Sequence, residues 1–510
     1  MIIGYVIGES KPTRITALAS RALSIGEYVI INSDEGKILG LVERSYVSSV
    51  ALSDVRNFDE AVESKEIAEI NKRDKGYTSQ IMILGFLDKL QKGQSIVPAI
   101  PPLPGTEILE ASKKDLEKIF GPDGNEWIRI GSLLRNPEID AKININKIVA
   151  RHVGILAMTG MGKSNLVSLL AKQIDSLSGT VIIFDYHDDY SNLAIPRINV
   201  IDAKINPRLL DAESLGEVLE IRDNASIQQR ILRMAFTKQV KESKDFWMAL
   251  NDQVEEIIQL NKKDKKEYTY SGGRVQDKID DAQHKFSDIL DPDVVDPIGL
   301  IKEGRINVLN ISSLSEKQAN VAVSYYLQEL LNDRKESIRA KNAKQTTKRS
   351  PRFGTSIFVV IEEAHVFIPK GEDTQAKYWA SKIAREGRKF GLGLAVVSQR
   401  PRSLDPNILS QMGSLAIMKI VQEDDQSQIT SAAESISKNL IEQLTSLNVG
   451  DAILVGQWAN LPSIVHIQEV KEKTRGADQN AVTEWAVAKK FEGIAKESTQ
   501  KLIQKDLLVD

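Results

Sequence analysis

The chain has 510 residues, 42% of them hydrophobic and 27% charged, with a formal net charge of −3. This is an ordinary globular balance with room for two or three domains, and it argues against disordered and coiled-coil classes. Cysteine is absent, which excludes disulfides, thiol nucleophiles and cysteine-based zinc sites and fits a reducing or hot interior. No apolar run approaches the ~20 residues of a membrane span, and Met1 to Val6 lacks a basic region before a long apolar stretch. A cytoplasmic protein with no membrane partner is therefore expected. The near-neutral charge supplies no overall field for nucleic acid, so DNA contact would need local basic surface such as a channel lining.

Residues 1–100 read as an N-terminal β-barrel. Ile2 to Ile7, Tyr28 to Asn32, Lys37 to Val50 and Ser79 to Leu87 are β-branched runs, and Asp34-Glu35-Gly36 suits a hairpin turn between two of them. Ile67 to Lys75 is charged and reads as a surface excursion, and an oligonucleotide-binding barrel is the alternative small β architecture. Pro98 to Gly105 excludes helix and central strand and marks the exit from this domain. Residues 101–204 then read as a linker followed by the first part of an α/β core.

Val153 to Leu156 is short and apolar, as in a buried parallel strand, and Ser164 to Leu177 has apolar residues at helical spacing. Between them lies a glycine turn ending in Gly162-Lys163-Ser164, the pattern of a phosphate-binding loop. Glycine amides close around phosphate oxygens, and the following helix points its positive end at the same place. Thr159, Gly160, Met161, Gly162, Lys163, Ser164 and Asn165 are the expected nucleotide contacts. Lys163 would reach the β- and γ-phosphates of ATP, and Ser164 would hold Mg²⁺. Ala157 stands where the motif's first glycine belongs, a tolerable change if its φ is negative. Val181 to Phe184 forms the next strand and ends in Asp185-Tyr186-His187-Asp188-Asp189-Tyr190, which places Asp185 and His187 where ligands bind in open α/β sheets. A hydrophilic loop explains that acid cluster equally well.

Residues 205–300 turn helical and polar and read as an inserted helical bundle, with pieces at 211–220, 226–238, 246–259 and 274–290. Lys262 to Lys266 and Ser271-Gly272-Gly273 are taken to separate the last two pieces, the lysine run as a solvated loop. Residues 301–475 return to the α/β core. Arg305 to Ile311 is a strand, Ser315 and Gln318 form a capping box, and the helix after them runs to about Arg339. The basic stretch 339–352 reads as a surface loop. Ile357 to Ile361 is a fully apolar strand ending in Glu362-Glu363-Ala364-His365. An acid at this position holds Mg²⁺ in phosphate-loop enzymes, and a following Glu can deprotonate water. Packing alone does not account for two carboxylates there. A helix at 377–390 carries Arg385 and Arg388, and the strand 391–397 ends in Ser398-Gln399-Arg400-Pro401. The glutamine would sense the γ-phosphate, and an arginine would complete a neighbouring subunit's site. Ala416 to Val421 and Ala452 to Gly456 supply further strands, and residues 476–510 read as a C-terminal helical extension.

The order and spacing of Arg151-His152, the loop 154–165, the block 184–190, Val360 to His365, Gly387 to Gly391 and Ser398 to Pro401 resemble the HerA branch of the HerA/FtsK ATPases, across about residues 1–470. The resemblance implies an α/β RecA-like core behind a barrel similar to that of rotary ATP synthase subunits. It implies a homohexameric ring with ATP-driven translocation of double-stranded DNA through a central channel. It further implies a nuclease partner, NurA, with which the ring resects DNA ends in archaeal recombinational repair. By position, Lys163 and Ser164 bind phosphate and Mg²⁺, Glu363 matches the water-activating acid, and Glu362 takes the metal-binding place usually held by Asp. Asp185 matches the second-strand acid and Gln399 the sensor. Arg388 is the expected trans finger, with Arg151 and Arg385 as further site arginines. Lys370, Lys377 and Arg402 are the candidates for polymer-contacting loops. The competing readings are a conjugation- or secretion-type ring motor, an ATP-gated DNA clamp with little turnover, and, on the barrel alone, a rotary synthase-like subunit.

Overall fold

The β-branched runs at the start of the chain alternate inward and outward, and closure hides their edges. In the computed structural model β1 (Ile2–Lys11), β2 (Arg14–Ala19), β3 (Tyr28–Ser33), β4 (Gly36–Ser49), β5 (Lys75–Phe86) and β6 (Glu107–Glu110) form a closed barrel in the order β1-β2-β5-β4-β3-β6. Ile3, Val6, Ile15, Val29, Ile31, Ile38, Val42 and Ile81 fill its interior. Ser33 pairs with Gly36, so Asp34 and Glu35 are the two residues of the hairpin turn. Two strands were not visible in sequence. β2 is short, with two polar residues in six, and β6 lies beyond the proline-rich stretch taken as the exit, pairing with both β1 and β3 to close the barrel. The excursion between β4 and β5 includes the helix Phe58–Ile70, capped by Asn57, whose only buried residue is Ala68.

The structure describes residues 1–470 except 72–73, 192, 194, 196, 223, 262–264, 286–288, 295, 343–349 and 434–435. The expected C-terminal extension, residues 262–264 of the lysine run and residues 343–349 of the basic stretch 339–352 lie outside the described residues.

The core is an eleven-stranded sheet. Its strands are β7 (Trp127–Leu133), β8 (Asp140–Asn144), β9 (Val153–Leu156), β10 (Thr180–Asp185), β11 (Asn199–Asp202), β12 (Ile306–Asn310), β13 (Ile357–Ile361), β14 (Leu392–Ser398), β15 (Ser414–Ile417), β16 (Asp451–Gly456) and β17 (Ser463–Ile467). They lie in the order β11-β12-β10-β13-β14-β9-β15-β16-β17-β7-β8. Strands β11 through β15 along this order are parallel, and the remaining pairs are antiparallel. Helices cover both faces of the parallel part, so β9, β10, β13 and β14 are buried along their whole length and carry unbroken apolar runs. The parallel strands end together along one edge: Leu156, Asp185, Ile361, Ser398 and Ile417 are their carboxyl-terminal residues. That shared edge positions the site.

The helices between β11 and β12 include Ala212–Val218, Ser226–Ala235, Lys238–Glu242, Phe246–Leu260 and Lys265–Lys285. Ser271-Gly272-Gly273, read as a break, lies inside the last of these. The reason is close packing: a Cβ on Gly272 would stand 2.4 Å from Ile258 Cδ1 of the preceding helix, so glycine there sets the approach of two helices. The capping box of Ser315 and Gln318 is formed, and its helix runs to Lys341.

Gly272→Val should lower stability by about 1–3 kcal/mol through overpacking against Ile258. Gly273→Ala, whose Cβ would meet nothing within 4 Å, should be neutral or stabilising by about 0.5–1 kcal/mol. Thermal midpoints of the two variants beside the wild type check this, and equal behaviour would contradict the packing argument.

Candidate active site

Strand β9 ends at Leu156 and the helix Lys163–Ser176 begins seven residues later, so the loop between them must turn tightly. Gly160 and Gly162 make that turn with φ of 78° and 108°, and Gly162 is the N-cap of the helix. These are left-handed values that a side chain would strain. Ala157 is buried and is not among the positive-φ residues, so the missing glycine at this position leaves the turn intact. Lys163 Nζ donates back to the carbonyls of Ala157 and Met158 at 3.3 and 3.4 Å. Burial lowers its pKa, opposed by Glu363, Glu362 and Asp189. A desolvated ammonium among amides at a helix start is a site for a multiply charged anion.

Four carboxylates and a tyrosine lie around this loop, and each is placed by a strand end. Asp185 closes β10; it is buried, and its two oxygens accept the N–H groups of Asp189 and Tyr190 at 3.0 and 2.9 Å. Expected as a site acid, Asp185 instead builds the turn behind the site, and its pKa is raised chiefly by burial. That turn brings Asp189 to the loop, where its Oδ2 accepts from Ser164 Oγ at 3.1 Å. It also brings Tyr190, whose buried hydroxyl donates to Glu362 Oε1. Glu362 follows β13 with only 4% of its surface exposed, and burial pushes its pKa up to about 7, against the lowering effect of the Tyr190 bond.

Glu363 has φ of 45° at the start of the short helix Ala364–Phe367 and is equally buried. A left-handed non-glycine residue at a strand end is the kind of strain that accumulates at functional sites. His187 Nε2 lies 3.5 Å from its Oε1, and His365 Nδ1 lies 3.2 Å from its Oε2. The latter contact lacks hydrogen-bond geometry, so Oε2 is a buried acceptor with no donor among the described residues.

At the tip of β14, Gln399 Oε1 accepts from the Thr159 hydroxyl, tying the strand end to the loop. Met161 leans on the core while its carbonyl accepts from Gly450 N at 3.2 Å. Asn165, expected to touch nucleotide, spends its side chain elsewhere: Nδ2 donates to Gln468 O at 3.0 Å and Oδ1 accepts from Val470 N at 2.8 Å. It therefore fastens the chain after β17 to the loop helix. Lys377 is also committed, with Nζ 3.0 Å from Asp405 and 3.4 Å from Asp373. Arg402 lies 3.6 Å from Asp424, and Lys370 lines the same cleft as Arg402.

The three arginines stand apart from the loop. Arg151 precedes β9, Arg385 and Arg388 precede β14, and all three line a cleft of about 720 Å³ with Gln411, Gly413 and Asn460. That cleft opens at the amino ends of the parallel strands, whereas the loop lies at their carboxyl ends. The four residues of β9 alone put about 13 Å between them. Within one chain, then, Arg151, Arg385 and Arg388 are not brought to Lys163.

The donor set fits a small hard cation. Ser164 Oγ and Asp189 Oδ2 place two oxygens 3.1 Å apart at the helix start, the donor type that Mg²⁺ prefers. Among the described residues no group of three or more His, Asp or Glu side chains forms a cage by itself. Glu362, expected beside Ser164, is bound to Tyr190, and Asp189 is the acid hydrogen-bonded to Ser164 itself. Asp189, Tyr190, His365 and Ser398 were not singled out from sequence. The only signal was their position in the strand-end blocks 185–190, 362–365 and 398–401.

Two family models match the chain: one described as the central domain of helicase HerA over residues 128–330, and the HAS barrel domain over residues 3–88. The DNA double-strand break repair helicase HerA of Saccharolobus solfataricus is 39% identical over 509 residues, covering 97% of this chain and 98% of the relative. That of Sulfolobus acidocaldarius is 38% identical over 506 residues, covering 96% and 98%. Among solved structures, VirB4 of Thermoanaerobacter pseudethanolicus aligns with a TM-score of 0.50 at 14% identity, over 69% of this chain and 99% of that one, a likeness of fold alone.

Glu362 holds its proton to about pH 7 in the folded protein against 4.5 ordinarily, so the folded state carries an extra proton between those values. Stability is therefore lost as pH rises through that window, by up to about 3 kcal/mol. Glu362→Gln, which mimics the protonated acid and keeps an acceptor for Tyr190, should raise the thermal midpoint of the nucleotide-free protein far more at pH 8 than at pH 5. An equal shift at both values would show that Glu362 does not titrate in this range.

Proposed function

The chain belongs to the HerA helicase family, and from that membership we propose that it is an ATP-driven helicase and translocase acting on double-stranded DNA in double-strand-break repair. Its working form is a homohexameric ring with DNA in the central channel, and its partner is a nuclease, NurA, with which it resects DNA ends. The observation that carries this reading is the separation of two incomplete half-sites: a phosphate loop with buried acids at one end of the sheet, and an arginine cleft at the other. A head-to-tail ring apposes such surfaces.

In that arrangement the amides of Gly160 to Ser164 and the Lys163 ammonium hold the ATP phosphates. Ser164 and Asp189, with Glu362 behind them, would hold Mg²⁺, which when bound would supply positive charge against the phosphates. Glu363 orients the attacking water and takes its proton through the carboxylate oxygen that has no donor. Gln399, tied to Thr159, registers the γ-phosphate. Arg388 of the adjoining subunit, supported by Arg151 and Arg385, stabilises the charge on the transferring phosphoryl group. Asp185 acts indirectly, by forming the turn that presents Asp189. Contacts from channel loops to DNA phosphates make the grip independent of sequence and weaker in salt.

Purified protein should hydrolyse ATP faster with linear duplex DNA than without it. Glu363→Gln should lower turnover by about 10²–10⁴-fold while nucleotide still binds. Arg388→Ala and Glu363→Gln should each be inactive alone, yet a mixture of the two should regain activity, because some interfaces then join an intact arginine to an intact acid. No regain in mixed rings would place the arginine in cis. Duplex binding without turnover in the wild type would replace the motor with a nucleotide-gated clamp.

A further inference from the structure

Two loops leave the active-site edge of the sheet side by side. One follows Glu363 and His365 through residues 368–372, and the other follows Ser398 and Gln399 through residues 401–405. Beyond the site they are knitted together: Lys370 N donates to Ser403 O at 2.8 Å, Asp405 N donates to Ile368 O at 3.0 Å, and Pro369 and Leu404 form an isolated antiparallel bridge. At their base they touch again, where His365 Nδ1 lies 3.2 Å from Ser398 Oγ. The result is a closed frame with the polar tip on one side and Glu363 on the other. A cleft of about 670 Å³ lies against the tip, lined by His365, Lys370, Arg402 and Asp424.

One nitrogen serves two competing partners. His365 Nδ1 is 3.2 Å from Ser398 Oγ and 3.2 Å from Glu363 Oε2, and it has capacity for a single strong hydrogen bond. Bare, it accepts the Ser398 O–H, whose oxygen also accepts from Arg400 N at 3.0 Å. Carrying its proton, it donates to Glu363 and occupies the oxygen that would otherwise receive a proton from water. In this structure the Ser398 bond is formed and Oε2 is left without a donor. Burial lowers the His365 pKa, so the choice is one of tautomer and sub-ångström ring position, not of ring charge.

We propose that His365 is a positioning residue that couples the paired loops 368–372 and 401–405 to hydrolysis, by exchanging its Nδ1 between Ser398 and Glu363. Bonded to Ser398 it leaves the carboxylate free for water; bonded to Glu363 it holds the site idle. Because both loops begin at the two competing partners, a polymer phosphate at Lys370 or Arg402 braces their joined tip and keeps His365 on Ser398; without it the nitrogen exchanges between Ser398 and Glu363. The inference rests on the reading of Glu363 as the water-activating acid.

The test is steady-state ATP hydrolysis by the full chain, with and without linear duplex DNA. Ser398→Ala removes the competitor and should lower kcat roughly tenfold or more, with KM for ATP within about twofold, as expected for a misplaced catalytic group. Adding His365→Ala to that variant should restore most of the loss, a rescue that a merely structural histidine would not produce. His365→Ala alone should bring the ratio of DNA-stimulated to basal turnover close to one. The proposal is overturned if the double variant is no faster than Ser398→Ala, or if His365→Ala keeps the wild-type ratio; the second measurement stands even if Ser398→Ala fails to fold. Glu363→Gln run in parallel separates the two levels: undiminished hydrolysis there would remove the reading of Glu363 itself.

Discussion

Burying two adjacent carboxylates at the end of an apolar strand is the constraint on which the rest of this structure depends. Glu362 and Glu363 follow the five buried residues of β13, and an unpaired charge in such a place costs several kcal/mol. The fold meets that cost in two different ways. Glu362 receives the Tyr190 hydroxyl and holds its proton to near neutrality. Glu363 is held in a left-handed backbone conformation between two histidines, with one oxygen lacking a donor among the described residues. The first acid is tied down and the second is left available, a division of labour suited to chemistry at the second.

Everything near that pair is arranged to support it from behind. Asp185 uses both carboxylate oxygens on backbone N–H groups, so the turn 185–190 is rigid where it delivers Asp189 and Tyr190. Asn165 performs a similar service on the far side of the loop, clasping Gln468 and Val470 so that the chain after β17 lies against the loop helix. Neither residue faces the phosphate-binding turn, and both act through what they hold in place. Residues that touch no substrate still decide the geometry of those that do.

The same strands that gather the acids at one edge send the arginines to the other. In a parallel sheet every strand begins on one side and ends on the other, so Arg151, Arg385 and Arg388, which precede β9 and β14, are separated from a loop that follows β9. The arginines of one copy therefore do not reach that copy's own loop, as the proposed ring would require. The near-zero net charge fits this arrangement, since any basic surface for DNA must be local.

How much of this was legible in the sequence follows from the range of the interactions involved. The loop, its strand and helix, the apolar strands of the parallel sheet, the capping box at Ser315 and the Glu362-Glu363 pair are encoded over a few neighbouring residues, so periodicity and turn chemistry identified them. Strand β6 was not legible, because four residues become a strand only when β1 and β3 flank them. The Ser271-Gly272-Gly273 stretch carries the local signature of a break, yet it lies inside a helix where Gly272 packs against Ile258 too closely for a side chain. Sequence also named Asp185 as a site acid, whereas in the folded chain its carboxylate accepts from its own turn's backbone and Asp189, four residues on, is the acid bonded to Ser164. Chemistry by residue type and spacing is a local property and was determined by the sequence alone. Which side chain at a strand end faces the loop, which faces its own backbone and which pairs across 172 residues, as Tyr190 does with Glu362, depends on long-range packing, and only the tertiary structure decided it.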